Sequence, residues 1–494
     1  MMKRAVSVLL SAALMLSVLT GCGKSGSVSK KNIPAEETAE SKKIALSDSG
    51  ITVDGAAISD DETAAVYAAQ DIVYYEEGQG VAYGAGTDAD AHSQEEADAH
   101  TVVHITQPGT YTLSGTLSAG QIAVDLGDGA EEDPEAVVTI VLDGVDITCT
   151  VAPAIIFYRV YECGSADMET ATQTVDTSAA GANVVIADGT ENRVTGSHVA
   201  KIYKPESVTL NADGTAVEEA KKLHKYDGAL YSKMSMNVSG GEAGTGTLEI
   251  VADNEGLDSE LHLTINSGNI HILAGNDGIN TNEDGVSVTT INGGTLRIEV
   301  TGETGEGDGI DSNGWLVING GMVIAAACSD SADSGLDSDN GIYINGGIVI
   351  ASGNIYDAVD GGDQTYAVFQ FAQKQSGGQT YTLKNAAGET ILEMTPENAF
   401  QYLVVSAPGL AEGEYTLWCG DTQLGASTGS VGGPSGGMGR PDGQPPEGAP
   451  GQKPEGADDG QQPPEPPADG QRPEGGPNGA MDGGNSADAA ECSD

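Results

Sequence analysis

Pairs of polar and mostly acidic side chains, three residues apart, recur in the middle of this 494-residue sequence. They occur in NEGLDS (254–259), NDGINT (276–281), GDGIDS (307–312), DSGLDS (333–338) and YDAVDG (356–361). Aligned on the aliphatic residue inside each pair, the segments give two series, which we call the acidic ladder. The first series is Glu255, Asp277, Asp308, Ser334 and Asp357, and the second is Asp258, Asn280, Asp311, Asp337 and Asp360.

The chemistry of the ladder favours a hard cation. Strand alternation predicts that the aliphatic residue faces inward and that the flanking acids face outward, toward their equivalents on neighbouring segments. Two carboxylates about 5 Å apart repel by roughly 3 kcal/mol at an effective dielectric constant near 20. Carboxylate, amide and carbonyl oxygens at irregular corners suit calcium better than magnesium. The sequence therefore predicts calcium sites, and the alternative is a set of solvated turn residues whose charge is screened or partly neutralised.

A second repeat places an asparagine at a tight corner. The segments LTINSGNIHI, TTINGGTLRI, LVINGGMVIA and IYINGGIVIA put Asn266, Asn292, Asn319 and Asn345 at intervals of 26, 27 and 26 residues. Short strands joined by Gly or Asn corners, without helices between them, predict an all-β fold, specifically a parallel β-helix with one coil per repeat. We expect the asparagines to be structural, because stacked amides at a corner can bond to one another.

Composition limits the possible partners. The chain carries 74 acidic and 21 basic residues, a formal net charge of −53, which argues against direct binding of nucleic acid or anionic membranes. The sequence has 70 glycines but only four phenylalanines and two tryptophans, which favours thin aliphatic layers over a large aromatic core.

The N-terminus predicts a lipid anchor. Lys3 and Arg4 precede the apolar run AVSVLLSAALMLSVL, and the run ends in LTGC, which resembles the lipobox of bacterial lipoproteins. Residues 1–21 would then be a signal peptide and Cys22 the lipidated N-terminus, on the extracellular face of the bacterial cell membrane. A plain secretory signal is the alternative. Among the other cysteines, Cys149 and Cys163 could form a disulfide, although buried thiols are favoured over a bridge.

Composition also sets the boundaries of the chain's segments. We expect a linker at 22–43, the β-helix at 44–427 with inserted loops near 59–100 and 196–226, and a solvated acidic tail at 428–494, which holds 12 of the 19 prolines. Residues 84–100 are predicted to be a disordered loop in which His92 and His100 could bind a metal. AVEEAKKLHK (216–225) is predicted to form a short helix.

Several segments, in order, resemble a known family. ITQPGTYTLSGTLSAGQIAVDL, VTIVLDGVDIT, NVVIADGTENRV, DGALYSKMSMNVSGGEAGTGTLEI, the DGIDS and INGG coils and VVSAPGLAEGEYTLW are similar to bacterial surface lipoproteins with carbohydrate-binding domains. The resemblance covers about residues 44–427. It implies a right-handed parallel β-helix similar to pectate lyases, bound calcium, and binding of acidic plant polysaccharide such as pectin or polygalacturonate, with cellulose as a further ligand.

An enzyme on the same scaffold is the main alternative. Calcium-assisted β-elimination from a uronate needs a base to remove the C5 proton. Arg297 is the one Lys or Arg between Val251 and Gln373, so it is the candidate base or sugar-binding residue there. The Gly-His-Gly and Arg-x-Lys motifs of polygalacturonases are absent from the sequence, and His262 and His271 are predicted to be surface strand residues. We therefore expect a non-catalytic protein.

A third hypothesis is a purely structural adhesin or spacer whose coils are held together by calcium. Two features bear on it. Trp315 and Tyr343 are out of phase with the core residues and are predicted to face outward, where they could stack on sugars. Lysines at 201, 204, 221, 222, 225 and 233 form a local basic cluster that could attract a polyuronate, although a solvated basic face is the commoner meaning of such a run. Carbohydrate binding is the function that we predict.

Overall fold

The computed structural model describes residues 41–86 and 90–431. Strands account for 47% of the described residues and helices for 3%, so the prediction of an all-β fold is confirmed. Most strands belong to three columns, in which a strand from one repeat pairs in parallel with the equivalent strand of the next repeat. Each column is named below by the feature that it carries.

The ladder column carries the acidic ladder and contains seven strands. In chain order they are Val66–Ala69, Thr101–Ile105, Gly120–Asp125, Ile155–Arg159, Gly228–Ser232, Glu255–Ser259 and Ile279–Thr281. The first pair is antiparallel and the others are parallel. After Thr281 the column continues through backbone contacts without regular strands, beginning with the bridge between Ile279 and Ile310.

The asparagine column leads into the Asn corners. Its strands are Ser41–Leu46, Gly109–Leu117, Val138–Thr148, Ala182–Ile186, Met236–Gly240, Leu263–Ile265, Val288–Ile291, Trp315–Ile318, Gly341–Ile344 and Val359–Gly361, each parallel to the next. The side chains at the corners bond as predicted. Asn292 donates to Asn266 at 3.1 Å, Asn319 to Asn292 at 3.0 Å, and Asn345 to Asn319 at 2.8 Å. The structural role predicted for these asparagines is therefore confirmed.

The groove column lines an open groove described below. It begins at the end of Val138–Thr148 and continues with Glu191–Gly196, Thr247–Ala252, Asn269–Ala274, Thr295–Val300, Met322–Ala326 and Ile348–Gly353. Antiparallel strands Phe400–Ser406 and Tyr366–Gln375 then close its end. A separate antiparallel sheet contains Thr390–Met394, Tyr381–Asn385, Gly413–Cys419 and Thr422–Gly429.

The core is made of aliphatic residues stacked from coil to coil. Leu257 pairs with Ile279, Ile270 with Leu296, and all four are essentially buried. Burying one such side chain contributes about 1.5–3 kcal/mol. The glycines of the Asp-Gly-Ile segments leave space for this core, because a Cβ on Gly278 would lie 2.1 Å from Cγ2 of Ile298. The motif thus positions the acids and permits close packing beside them.

The two inserted loops are structured where they are described. Ser93 caps a helix at Gln94–Asp98, and His100 is buried with its ring near Glu96 and Thr150, so the predicted disorder of residues 84–100 is wrong for the described part. The predicted helix at 216–225 is also wrong. The strand Val217–Glu219 pairs instead with Thr209–Leu210, because backbone partners in the hairpin override the helical composition.

Four further short strands and two helical turns complete the secondary structure of the described residues. Thr52–Val53 and Ala56–Ala57 form a hairpin beside Ser41–Leu46, and Tyr75–Glu76 pairs with Ala91–His92. Ala130–Glu132 and Pro205–Ser207 are 3-10 turns. Cys149 and Cys163 are free thiols, and the bridge between them does not form.

Candidate functional site

The first series of the acidic ladder stacks from coil to coil as predicted. The backbone N–H of Gly256 donates to the carbonyl of Asp277 at 3.0 Å, and Gly278 donates to Asp308 at 3.0 Å. Gly309 continues the series by donating to the carbonyl of Ser334 at 3.0 Å. The repeated glycine backbone therefore sets the side chains of this series at successive levels of the column.

The second series lies beside the first. Asp258 pairs with Asn280 in the parallel register. The N–H of Asp311 donates to the carbonyl of Ile279, and that of Asp337 donates to Ile310, both at 2.8 Å. Four coils thus bring the predicted residues together in the predicted order.

The fifth segment departs from the predicted alignment. Val359 pairs with Ile342 in the asparagine column, and the exposed Asp360 accepts from the N–H of Ile342 at 3.2 Å. Asp357 instead accepts from the N–H of Ser338 at 3.1 Å. It lies close enough to Asp337 for the charge of Asp337 to raise the pKa of Asp357. Asp357 therefore extends the second series, and Asp360 leaves the ladder. The alignment failed because an aliphatic residue can enter the core from either column.

The ladder acids are less exposed than predicted. Glu255 is 7% exposed and Asp258 is fully buried, whereas Asp277, Asp308, Asp311 and Asp337 are half-buried. The coil before Asp258 covers it, since Tyr231 pairs with Asp258 and a Cβ on Gly228 would lie 2.5 Å from the Cβ of Asp258. Strand alternation alone does not reveal this cover from neighbouring backbone.

Three buried oxygen atoms at the N-terminal end of the ladder have no hydrogen-bond partner. Asn280 donates to Oε1 of Glu255 at 3.0 Å, and Asn282 donates to Oδ1 of Asp258 at 2.7 Å. Oε2 of Glu255, Oδ2 of Asp258 and Oδ1 of Asn280 remain without a donor while the acids are ionised, and a single proton would let the carboxyl groups of Glu255 and Asp258 bond to each other. A buried oxygen without a partner costs about 1–3 kcal/mol, and more when the group is charged. These atoms form an acceptor-only set, which suits a proton or a cation.

Burial and mutual repulsion favour the protonated forms of the ladder acids. Burial, with a contribution from the charge of Asp227, raises the pKa of Glu255 to about 8. Burial and the charge of Asp337 raise the pKa of Asp308 to about 8 and that of Asp311 to about 7. The same two causes raise the pKa of Asp357 to about 6. Burial also raises the pKa of Asp258 and Asp277 well above the usual range.

The sequence reasoning missed Asp227 and Glu260. Asp227 precedes Gly228 as Asp277 precedes Gly278, so the Asp-Gly pair was the signal that could have identified it. Burial raises the pKa of Asp227, although Lys222 and Lys225 oppose the shift. Glu260 accepts from the hydroxyl of Tyr231 at 2.7 Å and lies 3.7 Å from Nζ of Lys225. The N-terminal end of the ladder thus has lysines as counter-ions.

Within residues 41–86 and 90–431, no group of three or more His, Cys, Asp or Glu side chains is arranged to hold a metal ion. The unpartnered oxygens at the N-terminal end of the ladder belong to two carboxyl groups and to the amide of Asn280. Carboxylate and amide oxygens together are an acceptable donor set for calcium. The fit is therefore to a mixed carboxylate and amide site, and not to an all-acid cluster.

The aromatic residues lie where the alignment placed them. Trp315 pairs with Gly341, and Val317 pairs with Tyr343, so Trp315 and Tyr343 lie on the same face of adjacent strands. Both side chains are half-buried. The ring of Tyr343 covers Gly361, since a Cβ there would lie 2.8 Å from the ring. Their partly exposed surfaces are available to stack on a sugar.

Arg297 lines an open groove of about 630 Å³ on the outer face of the groove column. The paired positions that cross this groove are, in order, Asp146, Arg193, Glu249, His271 and Arg297. Arg297 forms an ion pair with Glu397, and Arg193 forms one with Glu249. The side chain of Arg297 is thus held in an ion pair. It lies in a groove, as the sequence suggested.

The predicted surface position of His262 is wrong. His262 is 1% exposed, and its Nδ1 accepts from the N–H of Val288 at 3.1 Å. His271 is half-buried in the groove.

The cluster of lysines is partly neutralised, because Lys225 pairs with Glu260 and Lys233 lies 3.5 Å from Glu131. These contacts reduce the pull of the cluster on a polyanion.

Comparisons with known proteins give one family, one relative in sequence and one similar solved structure. A family model described as "Carbohydrate-binding domain-containing protein" matches residues 99–367. A relative with the same description from Acetivibrio thermocellus is 31% identical over 173 residues, which are 35% of this chain and 45% of the relative. The matched stretch therefore spans less than half of that relative. A solved polysaccharide lyase-like protein from C. thermocellum, a gadolinium derivative, is 22% identical, with 62% of this chain and 93% of that chain covered and a TM-score of 0.34.

Proposed function

Because this chain belongs to the family of carbohydrate-binding domain-containing proteins, we propose that it binds acidic plant polysaccharide, of the polygalacturonate or pectin type, without cleaving it. In this proposal binding depends on calcium and occurs at the bacterial cell surface. The net charge of −53 supports the need for a cation, since a polyanion is otherwise repelled.

The proposed architecture is a right-handed parallel β-helix. The parallel register of three columns supports it, because each repeat contributes one strand to each column along residues 182–300. The stacked asparagine amides support it further, since they keep one corner in register between coils. Such a solenoid presents long, flat outer faces, as an extended polysaccharide needs.

The observation that carries the calcium proposal is the set of three buried, unpartnered oxygens on Glu255, Asp258 and Asn280. Glu255 and Asp258 would hold the ion together with the amide oxygen of Asn280, and the half-buried Asp308 and Asp311 would extend the acidic surface. When bound, calcium would cancel the charge of the Glu255 and Asp258 carboxylates and so reduce the repulsion between the protein and an acidic polymer. The role of Trp315 and Tyr343 in this proposal is to stack on sugar faces.

A non-catalytic role is favoured by the pairing of Arg297. A base for β-elimination must be free to take a proton. Arg297 is occupied by Glu397, and a guanidinium stays protonated at any ordinary pH. The lyase alternative therefore lacks an available base on the groove column among the described Lys and Arg side chains.

The proposed location rests on the sequence. Cys22 lies outside the described residues, as do the linker up to residue 40 and the tail from residue 432. The part of the chain that the structure describes contains no helix long and apolar enough to cross a membrane. We propose that acyl chains on Cys22 hold the mature protein at the membrane. Replacing Cys22 by Ala should release the protein or leave its signal peptide uncut, and normal acylation of that variant would refute the anchor.

The binding proposal is tested by calorimetry with polygalacturonate. Affinity should rise with added calcium and be lost with a chelator. The double variant Asp308→Asn/Asp311→Asn should weaken the calcium response, whereas Asp143→Asn/Asp213→Asn, an equal charge change at exposed positions outside the ladder, should not. Binding that is unchanged by chelator and falls steeply with salt would instead assign the attraction to the lysines. Unsaturated uronide products during long incubation would overturn the non-catalytic assignment.

A further inference from the structure

The groove on the groove column is built from polar residues of five consecutive coils. Asp146, Arg193, Glu249, His271 and Arg297 follow one another at paired positions along its length. A parallel ladder of side chains comes from Glu191, Thr247, Asn269 and Thr295. The volume of about 630 Å³ lies within the range of ligand sites in proteins. The groove lies in a different column from the acidic ladder, although the residues of the two alternate along the chain.

The groove concentrates arginine in a very acidic chain. The described residues include three arginines, at 159, 193 and 297, and two of them line this groove. Each is held by one carboxylate, Arg193 by Glu249 and Arg297 by Glu397. A guanidinium has five N–H donors, so donors remain after one such pair. The pairs therefore fix the arginines in place without exhausting their donors.

The charge balance of the groove selects the class of ligand. Its lining has two arginines and the acids Asp146, Glu191 and Glu249, and Glu397 pairs with Arg297, so the acids outnumber the arginines by two. Burial, with the nearby charge of Arg297, lowers the pKa of His271, so its imidazole is neutral and can both donate and accept. A polyanion gains little from such a surface. Hydroxyl groups, which donate and accept at once, match alternating arginine, carboxylate and amide groups.

The spacing of the coils matches an extended glycan. Strands in a column lie about 4.8 Å apart, which is close to the length of one pyranose unit. Four steps separate Asp146 from Arg297, or roughly 19 Å at that spacing. Each coil therefore offers a donor or acceptor to each successive sugar. The groove ends where Glu397 pairs with Arg297 and Asn398 donates to the carbonyls of Val300 and Ala327, at 2.7 and 2.9 Å.

We propose that this groove is a second glycan-binding site, which takes an uncharged oligosaccharide lying along the stack with about one sugar per coil. The proposal rests on the carbohydrate-binding function but is independent of calcium. Arg193, Glu249 and His271 make the central contacts, and Arg297 marks the closed end. The protein then has two sites of different selectivity, one for carboxylates through calcium and one for neutral hydroxyl-rich chains.

The test is calorimetry of the full mature chain with cellohexaose, mannohexaose and hexagalacturonate, each with calcium and with chelator. At least one neutral hexasaccharide should bind equally in both conditions. Arg193→Gln and His271→Gln should each weaken that binding at least about tenfold, as expected for loss of a hydrogen bond in which the donor is charged or preorganised. The matched control is Arg159→Gln, since Arg159 is the third ion-paired arginine but lies in the ladder column.

The outcomes separate this site from the calcium site. Weakened neutral binding in both groove variants, with the calcium response to hexagalacturonate retained and Arg159→Gln unaffected, supports the proposal. Neutral binding as strong in both variants as in the wild type overturns it, as does the absence of any binding of the neutral probes. Calcium-independent binding of hexagalacturonate that is lost in the groove variants overturns the assignment to uncharged sugars. His271→Gln breaks no ion pair, so it keeps the test decisive if Arg193→Gln is poorly folded.

Discussion

Asn280 donates its side-chain amide to Oε1 of Glu255 at 3.0 Å, while Oε2 of the same carboxyl group is buried without a partner. One half of the carboxyl group is thus satisfied by the protein, and the other half needs a proton or a cation. This oxygen links the stability of the fold to pH and, in the proposed calcium site, to calcium, because a proton and the ion would compete for it.

Replacing Glu255 by Gln should therefore stabilise the metal-free protein above pH 8, because the amide brings its own donor and carries no charge into the buried site. The melting temperature in chelator should rise, and the increase caused by calcium should shrink. The isosteric control Glu303→Gln, at an exposed loop position, should change neither value. Equal calcium responses of Glu255→Gln and wild type would remove Glu255 from the metal site.

The pH dependence of the metal-free protein has a definite sign. Folding raises the pKa of Glu255 and Asp308 to about 8 and that of Asp311 to about 7, so the folded state holds protons that the unfolded state has released. The stabilising contribution of these groups is fully present below the unfolded pKa values, near 4, and is lost as the pH rises through the folded values. Denaturant unfolding in chelator should give a free energy of unfolding that falls between pH 5 and 8.

Calcium should abolish that trend, because the ion replaces the protons. A ligand that binds only the folded state adds about 2.7 kcal/mol at a hundredfold excess over its Kd. With saturating calcium, the melting temperature should be nearly constant between pH 6 and 8. Calcium binding should also release protons into a weakly buffered solution. A loss of stability with rising pH that is the same with and without calcium would contradict the shared site.

The asparagine ladder should contribute modestly to stability. Asn319 bonds to amides on both sides, whereas Asn345, among the contacts described, bonds to one. Because these side chains are exposed, water replaces lost partners and each bond contributes about 0.5–1.5 kcal/mol or less. Asn319→Ala should therefore lower the free energy of unfolding more than Asn345→Ala does. The reverse order in urea unfolding would show that the amides do not act as a chain.

Much of the fold was readable from the sequence because the repeats set both spacing and orientation. The Asn corners and the Asp-Gly-Ile segments predicted which residues share a column, and the registers of Asp258 with Asn280 and Val317 with Tyr343 follow them. The burial of Asp258 was not readable, since it depends on Tyr231 in the preceding coil. The placement of Asp360 failed for a similar reason, because only the pairing of Val359 with Ile342 decides its column.

Contacts between distant segments explain the other failures. Glu397 is 100 residues from Arg297, and nothing in its local sequence indicates the pair. The hairpin that replaces the predicted helix depends on Thr209 and Glu219 being paired across ten residues. Local composition indicates helix or strand propensity. Pairing with distant segments decides which of the two forms.

The aromatic face gives the sharpest test of how the polysaccharide is held. Trp315 and Tyr343 lie diagonally on one face of paired strands, with Gly341 beside Trp315 in the register and the carboxylate of Asp360 next to Gly341. Trp315→Ala should weaken polygalacturonate binding about tenfold, as expected for the loss of a large stacking surface. The calcium-dependent rise in melting temperature should be unchanged, because the metal site keeps all its oxygens. Trp418→Ala is the control, since Trp418 lies in the separate C-terminal sheet beneath Lys384. Retained affinity in Trp315→Ala, or a loss equal to that in the control, would show that charge and calcium alone hold the polymer.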